Sequence, residues 1–395
     1  MLKVTRPISK KKPSSHPNNL FITMDIETIS QVVNNNNSIL IPYLICWYDG
    51  KRDIKHSYLI ENGNIKNTVS NIMRDICIRK YKNYRIYMHN FSKFDALFLI
   101  KYLVEIGNCK PLIHKDKIIS FRFSPLWKKD FGYITFLDSY LLIPSSLKNL
   151  CKSFDIKDPK GIFPYNLYDI NYNSKLVPDF KYFSNITPQE YNAYKDSFVE
   201  DDKIWNFKQE AIKYCELDCI SLYQILTKFN ELIFNKFKLN IVNFPTLPSL
   251  AFAIFRSKYL KILNIYQLTF KIDKDIRQGY TGGSTDMFIP KNPIGTKIYG
   301  YDVNSLYASV MINNPYPVGN PTYFEGNILV DPLATENRAF GFFYCKITAP
   351  DDLKYPILQI HHNNRTVSPL GTWEGMYFSE ELYNAEKYGY KFEIL

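Results

Sequence analysis

The chain has 395 residues, too many for one ordinary domain and enough for two or three. Hydrophobic residues make up 46%, which excludes whole-chain disorder; the best apolar run, Tyr133–Ile143, is broken by Asp138 and falls short of a membrane span, which needs roughly 18 residues. A formal charge of +11, from 49 basic and 38 acidic residues, points to a polyanionic partner such as nucleic acid or an acidic membrane surface. Of these two, nucleic acid fits the motifs described below, and no membrane partner is expected. The plentiful Lys, Asn, Ile, Tyr and Phe share A/T-rich codons, which suggests an organelle, plasmid or parasite genome. Seven scattered cysteines with no CxxC read as buried free thiols. The six histidines form no ligand pattern, so catalysis must rest on other groups.

Taken in chain order, residues 1–20 carry Lys3, Arg6, Lys10, Lys11 and Lys12 among three prolines and predict a disordered basic tail. Leu20–Ile26 and Ile39–Trp47 predict strands, and Tyr84–His89 a shorter one. Asp95–Ile106 predicts a helix, Ile118–Phe123 and Tyr133–Leu137 an antiparallel pair, and Pro144–Phe154 a second helix. Residues 158–202 read as irregular, and a long helix follows from about Trp205 to Phe237. The prolines of Asn243–Leu250 end it and open another. Strands mixed with helices to about residue 240 predict an α/β domain. A second unit is expected near Thr296, where Thr296–Val303 reads as a strand.

Four acids carry the chemical signal. Asp25 and Glu27 lie two apart on a strand and so share a face, where they repel unless a cation lies between them. Asn90-Phe91-Ser92-Lys93-Phe94-Asp95 leads from a strand into a helix, placing Asp95 at the helix start. Tyr214 and Asp218, four apart on the long helix, also share a face.

In this order the D-x-E, N-x-x-x-F-D and Y-x-x-x-D segments resemble the three exonuclease motifs of family B DNA polymerases. The resemblance implies an RNase H-like 3′→5′ exonuclease domain over 21–240. It implies that Asp25, Glu27, Asp95 and Asp218 hold two Mg²⁺ or Mn²⁺ ions, with Tyr214 orienting the attacking water. Thr28, Asn90 and Phe94 would then contact the 3′-terminal nucleotides. Ser146-Leu147-Lys148-Asn149-Leu150 is similar to a motif of the protein-primed branch, found in certain phages and linear plasmids, that binds single-stranded primer and a terminal priming protein. Lys160-Gly161 is similar to that branch's lysine supporting exonuclease geometry.

Further on, Tyr280-Thr281-Gly282-Gly283 resembles the Tyr-x-Gly-Gly motif joining the two halves of such enzymes, within a helical linker over 241–295. Asp302-Val303-Asn304-Ser305-Leu306-Tyr307 resembles polymerase motif A, with Ala308 at the usual proline. By that likeness Asp302 would bind the polymerase metals, with Mg²⁺ as the natural ion. Val303, Ser305 and Leu306 would cradle the dNTP triphosphate, and Tyr307 would exclude a 2′-hydroxyl. Residues 296–395 would be a partial palm with the start of the priming-protein insertion. No D-T-D or K-x-x-x-N-S-x-Y-G follows Tyr307. The expectation is therefore the N-terminal part of a protein-primed polymerase, unable to polymerise alone, with a stand-alone exonuclease or a DNA-binding relic as alternatives. Mitochondrial residence follows from the plasmid resemblance and the A/T bias.

Overall fold

The computed structural model describes residues 7–34, 37–156, 161–167, 169–184, 186–200, 204–260, 265–283, 285, 287, 289–319, 321–326, 339–363 and 365–395. The chain divides into two compact units, Lys10–Tyr259 and Leu260–Leu395 with Met1–Ser9.

The first unit is built on a seven-stranded sheet. Its strands are β1 (Phe21–Asn34), β2 (Asn37–Asp49), β3 (Ile54–Leu59), β4 (Arg85–Met88), β5 (Gly107–His114), β6 (Lys117–Pro125) and β7 (Ile134–Asp138). They lie in the order β3-β2-β1-β4-β7-β6-β5. The central strands β1, β4 and β7 run parallel, and the flanking pairs are antiparallel. The expected pairing of 118–123 with 133–137 is present, Phe121 opposite Phe136.

Alternation along the strands sorts side chains to two faces. Ile22, Met24 and Ile26 of β1, with Ile45 and Trp47 of β2, join one core with α1 (Ile65–Ile76) and α2 (Asp95–Ile106). Helix α1 contributes Val69, Ile72, Met73 and Ile76, a spacing that forms one apolar stripe. Phe21 of β1, with Leu44 and Cys46 of β2, faces the other core, formed with α5 (Phe207–Phe237). Asn206 caps α5 by accepting from Gln209 N at 3.1 Å, and Lys238 ends it in a left-handed conformation (φ 56°). The shorter elements are α3 (Leu147–Ser153), the two-residue strands β8 (Asn173–Ser174) and β9 (Trp205–Asn206), α4 (Pro188–Glu200) and α6 (Leu247–Ile254). Helix α4 lies inside the stretch expected to be irregular. Helix α3 is shorter than expected because Ser146 caps it after Pro144.

The expected disordered tail is corrected from Pro7 onward; residues 1–6 lie outside the described residues. Within the first unit, Ser14 N donates to Lys238 O at 2.7 Å and Asn18 N to Asn240 Oδ1 at 2.7 Å. Asn230 is fully buried on α5; its amide donates to Asn18 O and Asn19 Oδ1, and its carbonyl accepts from Ile241 N at 2.8 Å. Backbone groups that low apolar content leaves without a core find partners in this polar seam instead.

In the second unit, α7 (Phe270–Arg277) and α8 (Leu306–Asn313) precede a three-stranded antiparallel sheet. That sheet comprises β10 (Phe342–Thr348), β13 (Thr372–Phe378) and β14 (Lys391–Ile394), in the order β13-β10-β14. A hairpin of β11 (Ile360–His362) and β12 (Arg365–Val367) lies between, and α9 (Ser379–Glu386) covers the core through Leu382 and Ala385. The expected strand Thr296–Val303 does not form: the stretch is irregular coil, with Tyr301 93% exposed. Among the described residues no strand pairs with it, and a lone strand has neither backbone partners nor a surface to bury.

Asn230→Ala removes both ends of this seam. It is expected to cost about 2–3 kcal/mol in denaturant unfolding of the first unit and to open residues 10–19 to proteolysis.

Candidate active site

Asp25 and Glu27 project from β1 toward α5, because Thr23 on the same face donates to Cys219 O of that helix at 2.7 Å. A register shift against β2 follows directly, between Glu27 and Thr28, so the pair sits where regular pairing breaks. One carboxylate oxygen each of Asp25 and Glu27 and the Cys215 sulfur lie within 4.8 Å of one another. Cys215 Sγ is 3.7 Å from Asp25 O and 4.0 Å from its Oδ2. Burial, helped by neighbouring Cys219, pushes the Cys215 thiol well up and keeps it protonated.

Asp95 arrives from the β4–α2 connection and is 2% exposed. Burial first, then the Asp25 carboxylate, pushes its carboxyl well above the ordinary value, and Asp138 adds to the same direction. Asn90 turns the chain at φ 70°, a conformation asparagine tolerates. Asp138, at the end of β7, holds that turn. It accepts from Asn90 N at 3.0 Å, Ser92 N at 2.9 Å, Ser92 Oγ at 2.6 Å and Tyr140 N at 2.9 Å. Beside it, His89 bonds Ser139 Oγ and Ser145 O, each at 3.0 Å. Sequence reading used Asp138 only as a break in an apolar run. Its position at the end of a strand as apolar as Ile134–Leu137 was the available signal.

From α5, Tyr214 and Asp218 are both buried. Burial, then Asp218, then Tyr165 and Glu27, hold the Tyr214 phenol far above its usual value, so both acids lie within electrostatic reach of one hydroxyl. Tyr165 and Tyr214 share a hydroxyl–hydroxyl bond. Gly161 lies so close that a side chain there would meet the Tyr214 ring at 3.2 Å. Tyr165 was missed, since a tyrosine in a tyrosine-rich coil carries no pattern.

Of the expected contacts to a 3′ end, Thr28, Asn90 and Phe94 are half-buried near this cleft's elements, and Phe94 packs edge-on against Phe98. Ser146 is exposed and caps α3, accepting from Asn149 N. Leu147, beside it, is buried in the core formed with α5. Lys160 lies outside the described residues.

In the second unit Tyr280, 70% exposed, accepts through its carbonyl from the His361 ring at 2.9 Å. A side chain at Gly283 would stand 3.9 Å from the Tyr307 hydroxyl, so the Tyr-x-Gly-Gly segment and motif A lie together. Asp302, Val303 and Leu306 are exposed, and Ser305 takes a left-handed conformation (φ 50°) ahead of α8. Among the described residues Asp302 belongs to no group of three or more His, Cys, Asp or Glu side chains at ligand distance.

Of the four expected carboxylates the structure brings Asp25 and Glu27 to ligand distance, with Cys215 rather than Asp95 or Asp218 as the third group; Asp95 is within electrostatic reach of Asp25, and Asp218 shares Tyr214 with Glu27. Hard oxygen donors of this kind suit Mg²⁺ or Mn²⁺, and their mutual repulsion calls for a cation.

Residues 75–395 match the family model for DNA polymerase type B, organellar and viral. The chain is similar to a probable DNA polymerase of Neurospora intermedia, 36% identical over 99% of this chain and 42% of that protein. A probable DNA polymerase of Ascobolus immersus is 35% identical over 94% of this chain and 31% of its own length. The DNA polymerase of Bacillus phage phi29 is 28% identical over 62% of this chain and 38% of that one. The chain thus spans less than half the length of these curated relatives. Its fold is similar to that of phi29 DNA polymerase complexed with primer-template DNA and incoming nucleotides, at a TM-score of 0.61 and 18% identity, over 98% of this chain and 60% of that one.

Asp95 makes the cleft's electrostatics measurable. With a chelator present, the native chain binds this proton more tightly than the unfolded one. Stability should therefore fall as pH rises from the ordinary carboxylate value through the elevated folded one. Asp95→Asn is expected to flatten that fall, raising the neutral-pH melting temperature by about 2–4 °C, and to shrink the gain on adding Mn²⁺.

Proposed function

The chain belongs to the type B DNA polymerases of organelles and viruses, and on that premise we propose that its first unit is a 3′→5′ proofreading exonuclease of the protein-primed branch. The observation that supports this reading is that Asp25 and Glu27 of β1 share a ligand-sized space, that Asp95 at the start of α2 feels the Asp25 carboxylate, and that Asp218 and Glu27 both act on Tyr214 of α5.

Asp25, Glu27, Asp95 and Asp218 would hold two divalent ions, which when bound supply the charge that activates water and stabilises a departing 3′ oxygen. The chain's own groups do the rest. Tyr214, its hydroxyl steered by Tyr165, is fixed to orient the attacking water by a hydrogen bond. Its raised phenol keeps its proton at neutral pH, so it positions without acting as a base. Asp138 locks the Asn90 turn so that Asn90 and Phe94 can meet the terminal sugar and base, with Thr28 across from them. Ser146, at its exposed cap, is suited to the incoming single strand or the priming protein.

The second unit fits the polymerase half: the nearness of Gly283 to Tyr307 supports a shared role for the linker and motif A at a primer terminus and dNTP. Because one aspartate holds two metals poorly, these residues alone are not expected to add nucleotides. The A/T-biased residue usage supports a plasmid or organellar replicon, with mitochondrial residence part of that reading.

A 3′-labelled single strand tests it. Mg²⁺- or Mn²⁺-dependent trimming is expected, reduced at least ~10³-fold by Asp25→Ala with Asp218→Ala and about 10–100-fold by Tyr214→Phe. Primer extension by the same protein should be absent; metal-independent trimming or efficient extension would overturn the assignment.

A further inference from the structure

At the far end of α5 from the carboxylates, the first unit holds a basic groove of about 420 Å³. Lys10, Lys11, Lys12 and Lys258 line it, with Pro13 and Phe237. Among the described residues none of these four lysines is paired with a carboxylate. Lys11 Nζ rests 5.7 Å from the centre of the Phe244 ring; Lys10, Lys12 and Lys258 are exposed.

The lysines are held, not trailing. Lys11 N donates to Arg256 O at 3.1 Å, and three residues on Ser14 N donates to Lys238 O at 2.7 Å. Four like charges gathered in a concavity repel one another, and low-dielectric walls focus their field outward. The carbonyl end of α5 favours a cation at its last turn, which accounts for Lys236 but not for four more around the groove. Lysines act as point charges without a planar fork, so they suit phosphodiester oxygens and read no sequence. Phe237 adds an aromatic side chain to the wall, as in sites that take bases from an unpaired strand.

We propose that this groove is a second docking site for DNA, binding the sugar-phosphate backbone of a single strand without regard to sequence, apart from the cleft that handles its 3′ end. It rests on the reading that DNA is the ligand of this chain, but not on hydrolysis.

Binding of a fluorescent 20-nucleotide single strand to the full chain, followed by anisotropy in a chelating buffer, keeps the two readings apart. The variant Lys10→Glu, Lys12→Glu, Lys258→Glu should bind at least tenfold more weakly at about 100 mM salt. Its plot of log affinity against log salt should be shallower by about 2, from roughly 0.7 for each phosphate that is no longer neutralised. The corresponding Gln variant should show a smaller loss in the same direction, and trimming of a trinucleotide should be unchanged. A control reversing Lys51, Lys82 and Lys129, exposed lysines outside the groove, should keep most of the affinity. An unchanged salt slope in the groove variant, or an equal loss in the control, would overturn the site and leave only net charge. Stronger retention on duplex than on single strand would equally reject the single-strand assignment.

Discussion

Part-way along β1 two carboxylates point to one face of a sheet that is covered on both sides, and a third, at the neighbouring strand-to-helix turn, lies within electrostatic reach of Asp25. Nothing in an apolar core tolerates that arrangement without a counter-charge, and the elevated Asp95 carboxyl is the local sign of the cost. Much of the first unit follows from keeping these oxygens together. The parallel pairing of β1 with β4 covers Phe21–Thr23, so the acids follow directly where that pairing stops, on the side where β4 and β7 end and where in open α/β sheets ligands collect. Alternation along β1 then directs acids to one side and Met24 and Ile26 to the other.

Holding the cluster takes polar groups that are not themselves ligands. Asp138 satisfies two backbone amides and a hydroxyl across the Asn90 turn, and without it Asp95 would hang from an unanchored loop. Tyr165 does the same for Tyr214. These two residues divide the labour of positioning: one fixes the helix start, the other the hydroxyl beside the metals' expected place.

How legible this was in the sequence depends on range. The acids at Asp25, Glu27, Asp95 and Asp218 stand out because each occupies a periodic position on a strand or helix, where spacing fixes direction. Helix α2 was readable end to end, since Asp95 opens it and Leu99 and Leu103 mark its buried face. Hairpin strand β5 was not, because its side chains are largely exposed and lack alternation. Helix α1 was passed over because its polar residues outweigh a clear apolar stripe. The basic tail misled for another reason: its anchors, Asn230 and Asn240, lie more than 200 residues away, and composition cannot report a partner at that distance. Thr296–Val303 has the residue types of a strand, yet residue types do not supply a neighbour.

Helix α5 spans 31 residues without a break. From Asp218 to Phe237 it advances about 28 Å at ~1.5 Å per residue, so the acid cleft and the lysine groove are joined by a strut of fixed length. At roughly 3.4 Å per stacked nucleotide that interval corresponds to about eight. Were one strand to use both proposed sites, the helix would set the interval between its two holds, and a sufficiently short oligomer would reach only one of them.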